Sequence, residues 1–261
     1  MGLYIVGHWV ITERSGCVDR AAMQRGLAAL LLPDIARCHE HGYARIAPAP
    51  DARAQGAGAT PDHRLFQSHI LADWFIHFGT GSARRRQGWA YRRMLPFAAR
   101  YADFFETATR LGLRRAGPLP DSPRGFAHTM VEYAIDTHLA GQRDLSLSVG
   151  EVQRAAAGFA VPAISAMLAA LGVVHDAGAL PARVAAYRAR VARARDVRAF
   201  AFRAGVAKFG LDDRDDSVDY VGEFLDTGLR SLRSQGLDEA IDATAAFVAA
   251  RLDAPAPALT G

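Results

Sequence analysis

Residues 67–77 read QSHILADWFIH and place His69, Asp73 and His77 at positions i, i+4 and i+8. At about 100° per residue, side chains with this spacing project within an arc of about 80° on one face of an α-helix. The residues between them are mostly apolar, so we predict a helix that is buried nearly all round. Burying two imidazoles and a carboxylate there is costly unless they are paired or bound to a metal ion.

A second segment, residues 126–138, reads FAHTMVEYAIDTH and repeats the spacing with His128, Glu132 and Asp136. Imidazole and carboxylate groups are ligands for zinc and other first-row divalent metals. One His–carboxylate pair at this spacing is most often an ordinary hydrogen-bonded pair, but the repetition on a second apolar helix favours a metal site between two packed helices. Asp136 and His138 are interpreted individually as ordinary polar residues, with Asp136 alternatively orienting a ligating histidine.

Two residues further upstream are weaker candidates. His8 stands between Gly7 and Trp9 in an apolar surround, and Asp34 follows the apolar run that ends at Pro33. Each is either an ordinary buried or capping residue or a further ligand, and the sequence leaves both alternatives open. Because eight of the nine histidines lie in the first 138 residues, we expect the chemistry in the first half of the chain.

Composition favours a single all-α domain, a multi-helix bundle. The chain has 261 residues, of which 50% are apolar, so it can bury a sizeable core. Ala, Leu and Arg dominate, which are good helix formers, and only residues 3–11 are β-branched enough to be a strand, although they could equally open a buried helix. We predict a helical domain over residues 1–253, a long loop over residues 42–62 and a disordered tail over residues 254–261.

Several helix boundaries can be predicted from capping residues and prolines. A helix over residues 19–32 should end at Pro33, and Pro96 should kink or break the next aromatic-rich helical segment. A capping box formed by Ser148 and Glu151 should open one continuous helix as far as residue 171. Residues 181–208 are predicted to form one long amphipathic helix.

Targeting and membrane signals are weak. No continuous apolar run approaches 18 residues, so no transmembrane helix is expected. The apolar start of the chain lacks a basic region and a cleavage site, so we expect no secretory signal. Two cysteines, Cys17 and Cys38, do not make a disulfide framework. The predicted compartment is the cytoplasm.

The formal net charge is +4, and Lys208 is the only lysine among 31 basic residues. The clearest basic run comprises Arg84, Arg85 and Arg86, followed by Arg92 and Arg93. Acidic residues balance the basic ones elsewhere, so we interpret the arginines mainly as a bias in composition and expect no nucleic-acid partner.

The order of these residues resembles the superfamily of zinc-dependent phospholipases C and single-strand-specific nucleases, whose members are all-helical metallohydrolases. That family has an early His, a Pro-Asp after a buried helix, a further His, a helix with H-x-x-x-D and another His, and then H-x-x-x-E or H-x-x-x-D. The matching positions here are His8, Asp34, His69, Asp73, His77, His128 and Glu132. The strings SHILADWFIH and HTMVEYAID carry most of the resemblance, which covers about residues 5–140.

The resemblance implies a cluster of two or three divalent metal ions, with zinc first and manganese or iron as alternatives. Asp34, His69 and Asp73 would hold one ion, and Asp73 would bridge to a second ion near His8. The implied ligands of the remaining ion are His77, His128 and Glu132. The ions would activate water and neutralise phosphate charge, and Asp34 and Asp73 are the carboxylates assigned to catalysis.

This chain departs from the family pattern at three points. The spacing from Asp73 to His77 is shorter than the family's usual one. The further His is matched by His39, His41 or His63, of which His63 is slightly favoured because it leads into the ligand helix. Secreted members also use the amine of an N-terminal Trp as a ligand, whereas this chain begins Met1-Gly2. We therefore expect two ions rather than three.

The sequence thus predicts a metal-dependent phosphoesterase or phosphodiesterase that acts on a small or lipid-like substrate. The aromatic residues between positions 89 and 105 are interpreted as core, with the lining of a substrate pocket as the alternative. A di-iron or other metal-dependent biosynthetic enzyme on the same scaffold is the second hypothesis, since carboxylate-rich ligation suits iron. A helical binding protein without catalysis is the third.

Overall fold

The computed structural model describes residues 5–37, 60–80, 88–119, 122–142, 144–170, 173 and 175–253. Every regular element in these residues is an α-helix, which confirms the predicted all-α class. The predicted tail and most of the predicted long loop lie outside the described residues, as do Cys38, His39, His41 and the run Arg84, Arg85 and Arg86.

Fourteen helices are described. The first eight are α1 (Ile5–Ser15), α2 (Arg20–Arg25), α3 (Leu27–Ala36), α4 (Pro61–Phe78), α5 (Trp89–Arg92), α6 (Leu95–Ala98), α7 (Tyr101–Arg110) and α8 (Pro123–Ala140). The others are α9 (Val149–Ala157), α10 (Val161–Ala170), α11 (Leu180–Ala192), α12 (Val197–Lys208), α13 (Asp215–Arg233) and α14 (Leu237–Asp253).

Helix α1 is buried inside the bundle. Every residue from Ile5 to Thr12 is buried, and the helix packs against α3, α4, α8 and α14. β-Branched residues favour strands in isolation, but neighbours on all sides outweigh that preference. Of the two alternatives for residues 3–11, the buried helix is therefore the one observed in the described part.

Helix α4 packs against α1, α3 and α14. It begins after Thr60, whose side chain accepts a hydrogen bond from the backbone N–H of His63, and it ends at Gly79 with a φ of 65°. Residues 65–73 are all buried, as expected for a helix with few charges. The ring of Phe75 stacks on Phe247 with centroids 4.6 Å apart, so the last helix of the chain helps to hold the ligand-bearing one.

The prediction of one helix over residues 19–32 is wrong in two respects, because the helix is interrupted and it ends later than predicted. The chain breaks at Gly26, between α2 and α3, and Pro33 lies inside α3. A Cβ atom at Gly26 would lie 2.4 Å from Leu65 Cδ1 and 2.6 Å from Asp62 Oδ1, so glycine permits the close approach of this junction to α4. Asp34 consequently lies within the last turn of α3 and not beyond a helix end.

Two other predicted helices are each divided. The capping box of Ser148 and Glu151 is confirmed, but α9 ends before Gly158 and α10 follows at a bend of 91°. The predicted helix over residues 181–208 is split into α11 and α12, because the side chain of Asp196 accepts the N–H of Ala199 and caps a new helix.

The break predicted at Pro96 is confirmed, since this proline lies in the first turn of the short helix α6. Three of the six aromatic side chains of this region are in the core, since Phe97, Phe104 and Phe105 are all at most 1% exposed, and the other three are partly buried and pack against it. The ring of Phe104 also contacts Phe126, Phe209, Tyr220 and Phe224. These contacts support the interpretation of the aromatic segment as core.

In the described part of the chain, no single helix combines the length and apolarity needed to cross a membrane. The bent pair Val149–Ala157 and Val161–Ala170 meets the length and composition requirement only when the two helices are taken together.

Candidate metal centre

Four helices bring the predicted ligands together in two adjacent groups. The first group consists of His8 on α1, His69 and Asp73 on α4, and Asp34 on α3. One ligand-type atom of each of His8, His69 and Asp73 lies within 4.8 Å of the others. Asp34 joins them through its Oδ1, which lies 3.7 Å from His69 Nε2.

The carboxylate of Asp73 lies between two imidazoles. Its Oδ1 is 3.4 Å from His8 Nε2, and its Oδ2 is 3.6 Å from His69 Nε2. The rings of His8 and His69 stack with centroids 3.4 Å apart and an interplanar angle of 12°. All three side chains are fully buried, so the first group has its polar atoms concentrated in an otherwise apolar interior.

The second group consists of His77 on α4 with His128 and Glu132 on α8. Oε1 of Glu132 lies 3.1 Å from Nε2 of His77 and 3.3 Å from Nε2 of His128. Asp73 and His77 are one helical turn apart on α4, so the two groups are neighbours along the same helix. The i, i+4 spacing in the sequence therefore predicted which residues of α4 and α8 belong to the groups. It also predicted that the residues of each helix lie on one face.

Backbone carbonyls fix the orientation of two of the rings. His69 Nδ1 lies 2.7 Å from the carbonyl oxygen of Leu30, and His77 Nδ1 lies 2.7 Å from that of Asp73. A carbonyl oxygen only accepts hydrogen bonds, so in both rings Nδ1 is the nitrogen that carries the proton and donates. Nε2 is then the nitrogen that faces the group, an arrangement typical of ligating histidines.

Burial and neighbouring charge shift the pKa of each carboxylate. Burial raises the pKa of Asp34 to about 6 and that of Glu132 to about 7. Burial alone would also raise the pKa of Asp73, but the imidazoles of His8 and His69 lower it below its usual range. Asp73 therefore remains ionised at neutral pH.

For the histidines, burial and neighbouring charge act on the pKa in the opposite direction. Burial alone would lower the pKa of His69 and His77, but Asp34 and Glu132 respectively raise it above the usual value. Burial and the neighbouring His77 lower the pKa of His128 to about 2. His128 is thus a neutral imidazole, the form that binds metals.

His63, a predicted ligand, lies outside both groups, as do Asp136 and His138, which the sequence individually predicted to be ordinary polar residues. His63 is half-buried in the first turn of α4, and the six positions that separate it from His69 place it about 240° away around the helix. Asp136 accepts the backbone N–H groups of Val6 and Gly7 at 3.0 and 2.8 Å. Burial raises the pKa of Asp136 to about 8, against the lowering effect of these two donors.

His138 forms ordinary polar contacts near the surface, as predicted for it individually. Its Nε2 lies 2.7 Å from Asp238 Oδ1, and its Nδ1 accepts a hydrogen bond from Arg233 Nε at 3.1 Å. It has no contact with the ligand groups among the described residues that would suggest a metal-binding role.

Tyr91 and Arg124 border the second group, and neither was singled out from the sequence for this position. The ring of Tyr91 stacks on His128 with centroids 5.0 Å apart and meets His77 edge-on at 5.5 Å. Arg124 is exposed, and its Cζ lies 5.8 Å from the centre of the Tyr91 ring. The spacing of Arg124 four residues before His128 is the sequence signal that could have found it.

Gly88 contacts the C-terminal part of α4 at His77, one of the candidate ligands. Its N–H donates to the carbonyl oxygen of His77 at 2.7 Å. A Cβ atom at Gly88 would lie 2.0 Å from the carbonyl carbon of His77, so no larger residue fits without moving the backbone. The start of α5 is therefore held against α4 at His77, and Tyr91 on this helix contacts the second group.

Access to the two groups is limited to two of their members. The side chain of Asp34 is 23% exposed and that of His128 is 17% exposed, whereas the other ligand-type side chains are at most 3% exposed. Nε2 of His69 and of His128 is buried without a hydrogen-bond partner among the residues that the structure describes. Imidazole nitrogens facing carboxylates in this way fit a first-row divalent metal ion.

No protein-family model, curated protein or solved structure matches this chain. The resemblance to zinc-dependent phospholipases C and single-strand-specific nucleases therefore remains a prediction, supported by the order of the residues and by their proximity in the fold.

Proposed function

We propose that the protein is a metal-dependent hydrolase that acts on phosphoesters at a two-metal centre. The observation that carries the proposal is the presence of two adjacent buried groups, in each of which imidazole Nε2 atoms converge on a shared carboxylate. Such a concentration of titratable groups in an apolar interior is costly without bound cations.

The residues divide between two ions. The ligands of the first would be His8, His69, Asp73 and Asp34, and the ligands of the second would be His77, His128 and Glu132. Mixed imidazole and carboxylate donors suit zinc, with manganese or iron as alternatives. Divalent ions held there would lower the pKa of a bound water and neutralise the charge of a phosphoester.

The two carboxylates of the first group have different roles in this proposal. Asp73 stays ionised and fully buried between His8 and His69, so it holds both rings in place. Asp34 is partly exposed, so it is the member of the first group that solvent can reach. Burial raises its pKa to about 6 in the metal-free protein, so it is still mostly ionised at neutral pH and available to bind a cation.

An anionic substrate is favoured by the charge beside the second group. Arg124 is exposed one helical turn before His128, and Tyr91 lies against both side chains. A guanidinium group in this position can pair with phosphate oxygens of a substrate that reaches His128. This feature supports a phosphoester over an uncharged substrate.

The test is elemental analysis of protein purified without chelator, followed by assays on a panel of phosphodiesters and phosphomonoesters with zinc or manganese. We expect about two equivalents of metal and hydrolysis of at least one substrate class. Stoichiometric iron with oxygen-dependent turnover would support the biosynthetic alternative. Absence of stoichiometric metal would refute the proposal and favour a binding protein.

A further inference from the structure

Asp136 makes an unusual connection between two helices of the metal centre. Its Oδ1 accepts the backbone N–H of Gly7 and its Oδ2 accepts that of Val6, at 2.8 and 3.0 Å. The first N–H groups of a helix have no partner within the helix. Asp136 thus caps α1 from a different helix, with one carboxyl oxygen for each of these two N–H groups.

This cap lies directly beside a ligand. His8 follows Gly7 in the chain, and its ring stacks on His69 in the first group. A displacement of the first turn of α1 would carry His8 away from Asp73, because the residues of a helical turn move together.

The same face of α8 serves both groups. His128, Glu132 and Asp136 follow one another at four-residue intervals, so they project from one side of the helix. The first two belong to the second group, and the third holds the helix that supplies His8 to the first group. Helix α8 therefore contacts the second group by its side chains and the first group through the backbone of α1.

We propose that Asp136 is a positioning residue. Its two hydrogen bonds fix the first turn of α1 and thereby hold His8 in the first group, while His128 and Glu132 on the same helix as Asp136 belong to the second. This inference rests on the proposed two-metal centre. The geometry suits a carboxyl group because each of its oxygens accepts one N–H, whereas an asparagine amide would turn its NH₂ group towards one of these donors.

The test compares Asp136→Asn with Ile135→Ala, a matched control on the adjacent, fully buried position of α8. We expect Asp136→Asn to reduce bound zinc from two equivalents to one and to speed amide exchange in the first turn of α1 by about tenfold. Ile135→Ala should lower stability but keep both equivalents. Asp136→Ala, which adds no donor, should reproduce the loss of one equivalent if Asp136→Asn does not fold.

The outcomes distinguish the role of Asp136 from the presence of the metal centre. Two retained equivalents in Asp136→Asn, or the same single loss in Ile135→Ala, would overturn the role of Asp136. A wild-type protein without any stoichiometric metal would refute the metal centre itself. Amide exchange can be measured without metal. If exchange in the first turn of α1 is the same in Asp136→Asn as in the wild type, the anchoring of α1 by Asp136 is refuted as well.

Discussion

At the scale of single residues, the histidines that the structure describes differ in what holds their rings. Those of α4 show the contrast best: backbone carbonyls orient His69 and His77, whereas His63 is half-buried near the start of the helix and lies outside both groups. A ring held through Nδ1 presents Nε2 in one fixed direction, which is the property that a metal site requires.

His69→Ala is expected to remove the metal of the first group and to lower hydrolysis more than about 100-fold, since even partners that only orient ligands contribute about 10- to 100-fold. His63→Ala on the same helix is the matched control and should retain metal and activity. Elemental analysis and rate assays measure both. Equal losses in the two variants would contradict the assignment.

Arg124→Ala should raise the KM for a phosphodiester about tenfold and change kcat much less, because the side chain would bind the substrate anion without holding a metal ion. Arg110→Ala, an exposed arginine on α7, is the control. Metal content should be unchanged in both. An unaltered KM in Arg124→Ala would exclude its role in anion binding.

Metal uptake should release protons below neutral pH. Burial raises the pKa of Glu132 to about 7, so in the metal-free protein this carboxyl is largely protonated at pH values below about 7. Because a metal ion needs the ionised carboxylate, binding displaces the proton and the affinity rises as pH increases towards about 7. Calorimetry in buffers of different ionisation enthalpy should detect more protons released at about pH 6 than at about pH 8, and Glu132→Gln should reduce the difference.

At the scale of elements, α4 contributes a residue pair to the first group and one residue to the second, and its end is fixed by the backbone contact with Gly88. This contact joins α4 to α5, the short helix that carries Tyr91. The position of the second group thus depends on a glycine that contributes no side chain.

Gly88→Ala is expected to destabilise the protein by about 1–3 kcal/mol and to weaken metal binding at the second group, because the added methyl would overlap backbone atoms of His77. Gly150→Ala is the control, since the nearest atom to its added methyl would be Arg154 Nη1 at 3.6 Å. Denaturant unfolding and elemental analysis measure the two effects. An equally stable Gly88→Ala protein would disprove the steric requirement.

The elements that could be predicted are those whose signal lies within one helix. The spacing of His69, Asp73 and His77 indicated α4, and the capping box at Ser148 indicated the start of α9. The break at Gly26 could not be predicted, because it depends on clearance from Leu65, which is distant in the sequence.

The residues of the candidate site also fall into those that a local sequence pattern predicted and those that it did not. The residues of α4 and α8 follow from helical periodicity, whereas the proximity of His8 and Asp34 came only from the family resemblance and not from local sequence. The cap that Asp136 provides for α1 spans about 130 residues of sequence, and no local pattern encodes such a contact.

At the scale of the whole molecule, the last described helix supports the elements that carry the first group. Helix α14 packs against both α1, which carries His8, and α4, which carries His69 and Asp73. It contributes no residue to this group, and its contact with α4 includes the stacking of Phe247 on Phe75.

Metal removal should therefore lower global stability. An ion that binds only the folded state at about 100 times its Kd stabilises it by about 2.7 kcal/mol. For a domain of this size class, this corresponds to a fall in Tm of roughly 5–10 °C on chelation. Thermal unfolding before and after chelation, with zinc added back as control, measures the effect, and identical melting curves would argue against bound metal.

The two Nδ1–H groups held by the carbonyls of Leu30 and Asp73 have a spectroscopic consequence. Protons that are buried and hydrogen-bonded exchange slowly with water, so these two imidazole protons should give separate signals in a proton nuclear magnetic resonance spectrum. One signal belongs to His69 in the first group and the other to His77 in the second. Titration with zinc would then follow the filling of each group individually, without labelling any other part of the protein.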